Sequence, residues 1–261
     1  MFTDSHTHIY LKEFDNDIDT VIQNAINNGV NRFLLPNIDL DTIPKLLSMC
    51  KEKKTNLFPM IGLHPCSVSN NYMSDLDKMN SYIKNSNCIA IGEIGLDLYW
   101  DDKFIIEQQN AFQIQINWAK KHKLPIVIHS RNSFNEIYTI LKKENNNHLN
   151  GVFHCFSGDY YQAQKIIEMG FYLGIGGLLT FKNSTLSEVI KRIDLKHLIL
   201  ETDSPYLAPE PMRGKRNEPK FIPIIAQKIA EIKNISLNEI AEITNQNVNK
   251  IFFKKMDNFS V

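Results

Sequence analysis

Short apolar runs alternate along the chain with longer segments in which apolar residues recur every three or four positions. The short runs are typical of buried strands, and the longer segments have the period of amphipathic helices. The strand-like runs start about 20–37 residues apart, which suits one strand, one helix and two loops in each unit. The pattern predicts eight strands, at 1–6, 32–36, 57–62, 88–92, 125–129, 151–154, 171–175 and 198–201.

Apolar stripes between these runs predict the helices. Gly29 and Gly170 follow two of the stripes and are expected to end those helices, and Ser74 is the expected N-cap of another. Two further helices, at about 221–232 and 236–253, are expected after the last strand. The clearest stripes lie at 18–26, 76–83, 112–119, 163–167 and 186–193.

Eight β-α repeats in roughly 250 residues are typical of a parallel (β/α)8 barrel, that is, a TIM barrel of the α/β class. A doubly wound open sheet is the alternative architecture. No linker or low-complexity boundary interrupts the pattern. We therefore expect one domain, residues 1–261, with extra helices after the barrel.

Composition narrows the classes of function. Hydrophobic residues make up 43% of the chain, which is too many for a disordered protein. The 29 basic and 29 acidic side chains cancel, so a broad electrostatic coat on nucleic acid or membrane is not expected. No apolar run approaches the ~20 residues of a membrane span, and no secretory signal is visible. The four cysteines are scattered, as in free thiols, so a cytoplasmic location is expected.

Histidines and acids lie where several predicted strands end. His6 and His8 are two residues apart at the end of the first strand, so both would project from the same face. The carboxyl ends of barrel strands converge on one mouth, where active sites form. The pattern therefore predicts one cluster made of His6, His8, Glu93, His129, His154 and Asp203.

Six ligand-type residues exceed what one catalytic ion takes from protein, which is about three to four. A carboxylate can bridge two ions ~3.5–4 Å apart, the arrangement of two-metal phosphoryl hydrolases. Glu93 is the expected bridge, with His129 and His154 on one ion. The other ion would take His6, His8 and Asp203. The residues suit Mg, Mn or Zn, although a histidine-rich ligand set favours Mg least.

These motifs closely resemble the TatD-related metal-dependent DNases, within the amidohydrolase-like barrels. The resemblance covers nearly the whole chain and implies a TIM barrel, a monomer or weak oligomer, and divalent-metal nuclease or phosphodiesterase activity that removes nucleotides 3′ to 5′. It also implies the metal roles given above and a functional His64. The matching stretches are Asp4-Ser5-His6-Thr7-His8, Gly62-Leu63-His64-Pro65, Gly92-Glu93-Ile94-Gly95-Leu96-Asp97, His129-Ser130-Arg131, His154-Cys155-Phe156-Ser157-Gly158, Glu201-Thr202-Asp203-Ser204-Pro205-Tyr206, the segment from Arg213 to Pro219, and the segment from Asn247 to Phe252.

The expected reaction is attack of a metal-activated water on a DNA phosphodiester. Three residues are expected to carry it out. Asp203 is the expected general base, Glu93 the bridging ligand, and His64 a donor to the substrate phosphate or leaving group. Glu201 and Asp97 are expected to orient ligands, although Glu201 could instead close the barrel in an ion pair and Asp97 could be a turn carboxylate.

Cations and aromatic rings near the strand ends are the expected substrate contacts. Cations would pair with phosphates, and rings would stack on unpaired bases, so a single strand or a 3′ end is the expected DNA partner. A solvated basic loop and ordinary loop packing are the alternatives. The cations are Arg131, Arg213, Lys215, Arg216 and Lys220, and the rings are Tyr99, Trp100 and Tyr206.

Two other functions fit the same motifs. A metal pair could hydrolyse an ester, lactone or amide, including the ester of a misacylated tRNA. Arg213 and Arg216 favour a phosphorylated substrate over a small neutral one. A scaffold barrel without catalysis would be expected to lose ligands, and all six are present.

Overall fold

Eight parallel strands lie side by side in the order in which they occur in the chain. In the computed structural model, which describes residues 1–53, 56–99, 103–144 and 149–253, each strand pairs with the next. This order confirms the (β/α)8 barrel, because a doubly wound sheet would reverse its strand order. The strands are β1 (Phe2–Asp4), β2 (Val30–Pro36), β3 (Leu57–Ile61), β4 (Ala90–Asp97), β5 (Ile126–Arg131), β6 (Gly151–Phe153), β7 (Phe171–Ile175) and β8 (Leu198–Leu200).

Helices alternate with the strands, and two close the described chain, as predicted. Each buries the apolar stripe that marks it in the sequence, as Val21, Ile22 and Ala25 do in the first helix. No helix within the described ranges has the length and apolarity to cross a membrane. The helices are α1 (Ile18–Asn27), α2 (Ile43–Glu52), α3 (Tyr72–Asn85), α4 (Ile105–His122), α5 (Phe134–Glu144), α6 (Tyr160–Glu168), α7 (Leu186–Arg192), α8 (Ile222–Lys233) and α9 (Leu237–Phe252).

The main differences from the sequence prediction lie at element boundaries. Ser74 is not the N-cap of α3, because the Asn71 N–H donates to Ser69 Oγ in a turn that starts the helix at Tyr72. Strand β4 runs five residues beyond the predicted end, so Glu93 lies within the strand and not at its exit. Helices α2 and α5 were absent from the predicted stripes, although each carries a buried apolar face.

The barrel interior is filled by side chains that point inward from the strands. Leu34, Met60, Val127 and Ile199 form one buried cluster there with the end of α9. The last helix adds Val248, Ile251 and Phe252, so it covers the end of the barrel where the strands begin. The opposite end, where the strands finish, is left as the open mouth.

Backbone hydrogen bonds close the barrel between its first and last strands. The Ser5 N–H and Ser5 hydroxyl both donate to the carbonyl oxygen of Leu200, at 3.0 and 2.8 Å. Beyond the formal strand ends, the Asp203 N–H donates to the His6 carbonyl at 2.9 Å. The His8 N–H in turn donates to the Ser204 carbonyl at 2.8 Å. The segments that follow β1 and β8 are therefore held together at the mouth.

A buried carboxyl group reinforces this closure. Asp4 is fully buried and accepts hydrogen bonds from the N–H and the hydroxyl of Thr202, and from the His6 N–H at 3.3 Å. Burial raises the pKa of Asp4 well above its usual value, although these hydrogen bonds oppose the shift. A buried acceptor must keep its donors, so the Asp4–Thr202 pair fixes where β8 meets β1.

We expect Thr202→Val to lower the free energy of unfolding by ~1–3 kcal/mol, because it leaves the buried Asp4 carboxyl without its hydroxyl donor. Urea unfolding followed by circular dichroism measures the change. Thr244→Val is the matched control, since the buried Thr244 hydroxyl donates to the Ile240 carbonyl within α9. Equal losses in the two variants would contradict a special role for the Asp4–Thr202 pair.

Candidate metal centre

The structure brings all six predicted metal ligands together at the barrel mouth. His6 and His8 follow β1, His154 follows β6, and Asp203 follows β8. Glu93 lies in β4 and His129 in β5. Together with His64, these residues form three overlapping groups, each close enough to hold one ion. The groups are His6 with His8 and Asp203, His6 with Glu93 and His154, and His64 with Glu93 and His129.

The buried carboxylate of Glu93 lies at the centre and divides its two oxygens between two sets of histidines. Its Oε2 lies 3.1 Å from His6 Nε2 and 3.7 Å from His8 Nε2. Its Oε1 lies 2.8 Å from His129 Nδ1 and 2.9 Å from His154 Nε2. One carboxylate thus faces two ligand sets at once, which is the arrangement of a bridging ligand.

The first set is completed by Asp203. Its Oδ1 lies 3.5 Å from His8 Nε2 and 3.7 Å from His6 Nε2, while the two imidazole nitrogens are 3.2 Å apart. The other nitrogen of His8, Nδ1, lies 3.2 Å from the carbonyl oxygen of Pro36, to which Tyr10 also donates its hydroxyl. Because a carbonyl only accepts, the His8 proton is on Nδ1 and Nε2 offers a lone pair.

In the second set, the proton position of His129 is fixed in the same way as that of His8, by the partner of one ring nitrogen. Its Nε2 lies 2.8 Å from Asp97 Oδ2, so this nitrogen donates to the carboxylate. The lone pair of Nδ1 then points at Glu93 Oε1, which is itself an acceptor. Asp97 therefore orients a ligand histidine, and that histidine is His129. The pKa of Asp97 is lowered to about 2, since the hydrogen bond from His129 outweighs the opposing effect of burial.

These contacts test whether the residues fit metal ions. At His8 and at His129, a neutral ring would present a lone pair to other acceptors at hydrogen-bonding distance, an arrangement that is repulsive for the neutral ring unless a cation lies among them. Imidazole nitrogens and carboxylate oxygens are ligands that Zn and Mn share. The donor set therefore fits divalent ions, with His6, His8 and Asp203 on one side of Glu93 and His129 and His154 on the other.

Glu201 supports the second set from behind. It is fully buried, and its Oε1 lies 3.3 Å from His154 Nδ1 and accepts the Cys155 N–H. Burial by itself lowers the pKa of His154, but the charges of Glu93 and Glu201 outweigh it and raise that pKa well above its usual value. The ring of His154 also stacks on that of His6, with centroids 3.8 Å apart.

His64 lies beside the cluster with a different proton arrangement. Its Nδ1 accepts the backbone N–H of Cys66 at 3.1 Å, so a neutral ring carries its proton on Nε2. That nitrogen lies 3.4 Å from Glu93 Oε1 and 3.2 Å from His129 Nδ1. Burial lowers the pKa of His64, which favours the neutral ring. His64 is thus a hydrogen-bond donor at the site, whereas the metal ligands offer lone pairs.

Two buried glutamines of α4, which the sequence analysis missed, hold the strand ends beneath the site. Gln115 accepts the Leu63 N–H at 2.6 Å and donates to the Leu63 carbonyl, next to His64. Gln108, two turns away on the same helix, makes the same pair of bonds to the backbone of Asp97 at 3.0 and 3.3 Å. Polar residues seven apart within the apolar stripe of a helix are the signal that could have revealed them.

Asn217, also missed, fixes the turn that carries Asp203. The Asp203 backbone is left-handed, with φ at 60°, which aspartate tolerates better than most residues. The buried amide of Asn217 donates to the carbonyl oxygens of Thr202 and Tyr206, at 2.7 and 2.6 Å, and so spans both sides of Asp203. Its place in the matching segment Arg213 to Pro219 was a signal, but only the fold shows which turn it binds.

Some of the predicted substrate contacts line the cavity at the metal centre, whereas others are bound elsewhere. Arg131 lies over the Tyr99 ring at 3.8 Å. Together with Tyr206 it lines the cavity that holds the candidate metal ligands, here called the metal-site cavity. Arg213 lies over the Phe181 ring at 4.5 Å. Arg216 is bound away from this cavity by four hydrogen bonds, one to the Glu13 carbonyl oxygen, two to Asp17 at 3.0 and 2.6 Å and one to Glu218 at 3.1 Å.

That pairing gives Arg216 a role in holding the loop after β8 against the segment before α1. Its predicted phosphate contact therefore stays a prediction without support from its surroundings. Lys220 likewise pairs with Glu218, at 2.7 Å. Trp100, the third predicted stacking ring, lies outside the described residues.

Curated relatives share nearly the whole chain. An uncharacterised metal-dependent hydrolase of Bacillus subtilis, YabD, is 38% identical over 253 residues, covering 97% of this chain and 99% of the relative. The uncharacterised metal-dependent hydrolase YcfH of Escherichia coli is 30% identical, covering 95% of this chain and 94% of the relative. The shared description is that of a metal-dependent hydrolase, which agrees with the ligand cluster.

Solved structures and a family model agree. The crystal structure of YjjV, a TatD homologue from Escherichia coli, superposes with a TM-score of 0.91 at 28% identity, covering 96% of this chain and 97% of that one. A TatD family hydrolase from Entamoeba histolytica gives 0.84 at 26% identity, covering 97% and 98%. The family model described as TatD related DNase matches residues 3–253. The chain therefore belongs to the TatD-related DNase family and is a metal-dependent hydrolase.

Proposed function

We propose that this protein is a metal-dependent deoxyribonuclease that removes nucleotides from the 3′ end of single-stranded DNA. The observation that carries the proposal is the position of Glu93, whose two oxygens face two separate ligand sets. Paired divalent ions are the usual means of hydrolysing a phosphodiester, because the developing charge lies on several phosphate oxygens at once. Membership of the family supports the same choice of substrate.

When bound, two divalent ions supply Lewis-acid stabilisation of phosphate oxygens and lower the pKa of a bound water. Asp203 is the group that takes the proton from the attacking water. Its side chain is 14% exposed and lines the metal-site cavity, so solvent reaches it, whereas the side chain of Glu93 is 3% exposed. Burial by itself would raise the pKa of Asp203, but the charge on the nearby imidazole of His154 opposes burial and the pKa is lowered, so the carboxylate is ionised at neutral pH.

His64 is the donor on the other side of the reaction. Its Nε2 carries the proton of the neutral ring and lines the same cavity as Asp203. A donor at this place can bind a non-bridging phosphate oxygen or give its proton to the leaving oxygen. Asp97 keeps His129 oriented, and Gln115 keeps the backbone before His64 in position.

The shape of the mouth supports an end of a single strand as substrate. The metal ligands line a cavity of about 650 Å³ whose walls include Arg131, Tyr206 and Leu207. A phosphate within a recess of this kind is reached by a flexible strand, whereas the stiff duplex holds its phosphates on a wide cylinder. The exposed ring of Tyr206 and the Arg131–Tyr99 pair offer surfaces on which an unpaired base can stack.

With Mn, Mg or Zn added, the protein is expected to shorten 5′-labelled single-stranded DNA from its 3′ end, because the ligand sets need ions and the recess admits an end. Denaturing electrophoresis shows the ladder of products, and a chelator should abolish it. Ester and lactone substrates and misacylated tRNA are assayed in parallel. Turnover of any of these without cleavage of DNA would contradict the proposal and favour the ester-hydrolase alternative.

Asp203→Asn is expected to lower the rate of DNA cleavage by ~10²–10⁴, because an amide cannot accept the proton of the attacking water. Circular dichroism and thermal unfolding check that the variant stays folded. Asp194→Asn is the control, since Asp194 is an exposed acid before β8, at the opposite end of the barrel. A variant at Asp203 that cleaves DNA at the normal rate would remove it from the mechanism.

Exchanging two neighbouring histidines for glutamine should have different effects on metal content. His64→Gln is expected to keep the metal and lose ~10²-fold in turnover, because His64 acts as a donor. His129→Gln is expected to lose metal as well, because its Nδ1 offers a lone pair to the second ion. Metal stoichiometry by mass spectrometry and kcat on DNA separate the two. Equal metal loss would make His64 a ligand.

A further inference from the structure

Two further cavities border the metal-site cavity, and all three meet at Ser157. A second cavity of about 600 Å³, here called the lateral cavity, shares Ser157 and Leu178 with it. A third, smaller cavity of about 330 Å³, here called the polar cavity, shares Ser130, His154 and Ser157 with it. The metal-site cavity is therefore extended by two neighbouring cavities, and together they offer more space than one nucleotide needs.

The loops after β7 and β8 build the lateral cavity. Phe181 and Lys182 come from the first loop, and Glu210 and Arg213 come from the second. The Arg213 guanidinium lies over the Phe181 ring at 4.5 Å and has one long ion pair with Glu210, at 4.0 Å. Its side chain remains 62% exposed. An aromatic ring beside two cations is the composition that binds a base together with its phosphate.

These two loops are held against each other. The Glu210 N–H donates to Thr180 Oγ1 at 2.8 Å, and the same hydroxyl donates to the Gly177 carbonyl at 2.7 Å. A Cβ on Gly177 would lie 2.1 Å from the carbonyl oxygen of Leu207, so glycine is needed for this close approach. The lateral cavity is therefore a preformed surface, and Phe181 and Arg213 are positioned before any substrate binds.

The charges of the two flanking cavities differ. Lys182 and Arg213 line the lateral cavity with one acid, Glu210, so a positive charge remains. The polar cavity is lined by Asn132, Asn135, Gln162 and Glu136, and no lysine or arginine is among its described lining residues. A strand being shortened from its 3′ end carries further phosphates only on the 5′ side of the bond to be cut. The 5′ part of the strand therefore fits the lateral cavity.

We propose that the lateral cavity binds the nucleotide on the 5′ side of the scissile bond, with its base against Phe181 and its 5′ phosphate at Arg213 and Lys182. The terminal nucleoside, which has no further phosphate, then occupies the polar cavity. The cavity volume of about 600 Å³ lies within the ~300–1,000 Å³ typical of small-ligand sites. This assignment rests on the proposed nuclease function and adds specificity residues to it.

The experiment compares two single-stranded oligonucleotides that differ only in the penultimate nucleotide at the 3′ end, which either carries its base or is abasic. The wild-type protein should lose roughly 5- to 150-fold in kcat/KM on the abasic substrate, the range for one lost base–aromatic stack. Phe181→Leu should lower kcat/KM by the same factor on the normal substrate and should cause no further loss on the abasic one. Arg213→Ala should raise KM about tenfold with kcat unchanged, since it removes a phosphate contact.

Lys228→Ala is the matched control for charge, because Lys228 forms the same kind of exposed i,i+3 ion pair, with Glu231 at 3.9 Å, on α8 and lines none of the three cavities. Thermal unfolding and metal content check that each variant is intact. Absence of DNA cleavage by the wild-type protein would overturn the proposed function together with this assignment. Cleavage that is indifferent to the missing base, or a Phe181→Leu loss that persists on the abasic substrate, would overturn the assignment alone.

Discussion

The buried charge of Glu93 is the constraint on which the rest of the site depends. A carboxylate removed from water needs partners that favour its charged form, and these are the imidazole of His154, whose pKa is raised, and the divalent ions that the two ligand sets fit. Two of the other imidazoles around Glu93 are oriented in turn by a group behind them, the Pro36 carbonyl at His8 and the Asp97 carboxylate at His129. The ligands are consequently held in place by the protein itself, which lowers the cost of binding ions.

Stability and chemistry are divided between the two ends of the barrel. The end covered by α9 is apolar and packs Val248 and Ile251 against the strand interiors. The mouth is rich in buried polar groups, many of which have a specific partner, as Asn217 has at the turn of Asp203. Polar groups of this kind cost free energy unless they are paired, so their pairing defines one arrangement of the mouth. The same hydrogen bonds that close the barrel thereby place three candidate metal ligands, His6, His8 and Asp203.

The chain has no net charge, but its arginines lie in different local surroundings. Arg216 neutralises Asp17 and Glu218, so it contributes to the fold of the loop after β8. Arg213, three residues earlier, stays largely exposed beside Phe181 and leaves a local positive charge at the lateral cavity. A chain with no net charge can in this way present a local cationic surface beside the metal centre.

Hydrophobic periodicity by itself predicted the strands, most helices and the barrel. The reason is that buried strands are short apolar runs, whereas a helix packed on one face repeats its apolar residues every three or four positions. The ends of those strands also predicted the clustering of the candidate ligands from His6 to Asp203, since parallel strands must finish at one mouth. Which oxygen of Glu93 faces which histidine, and that His64 donates a proton where His129 offers a lone pair, were decided only by the tertiary structure. Those properties depend on contacts between distant segments, and no local pattern encodes them.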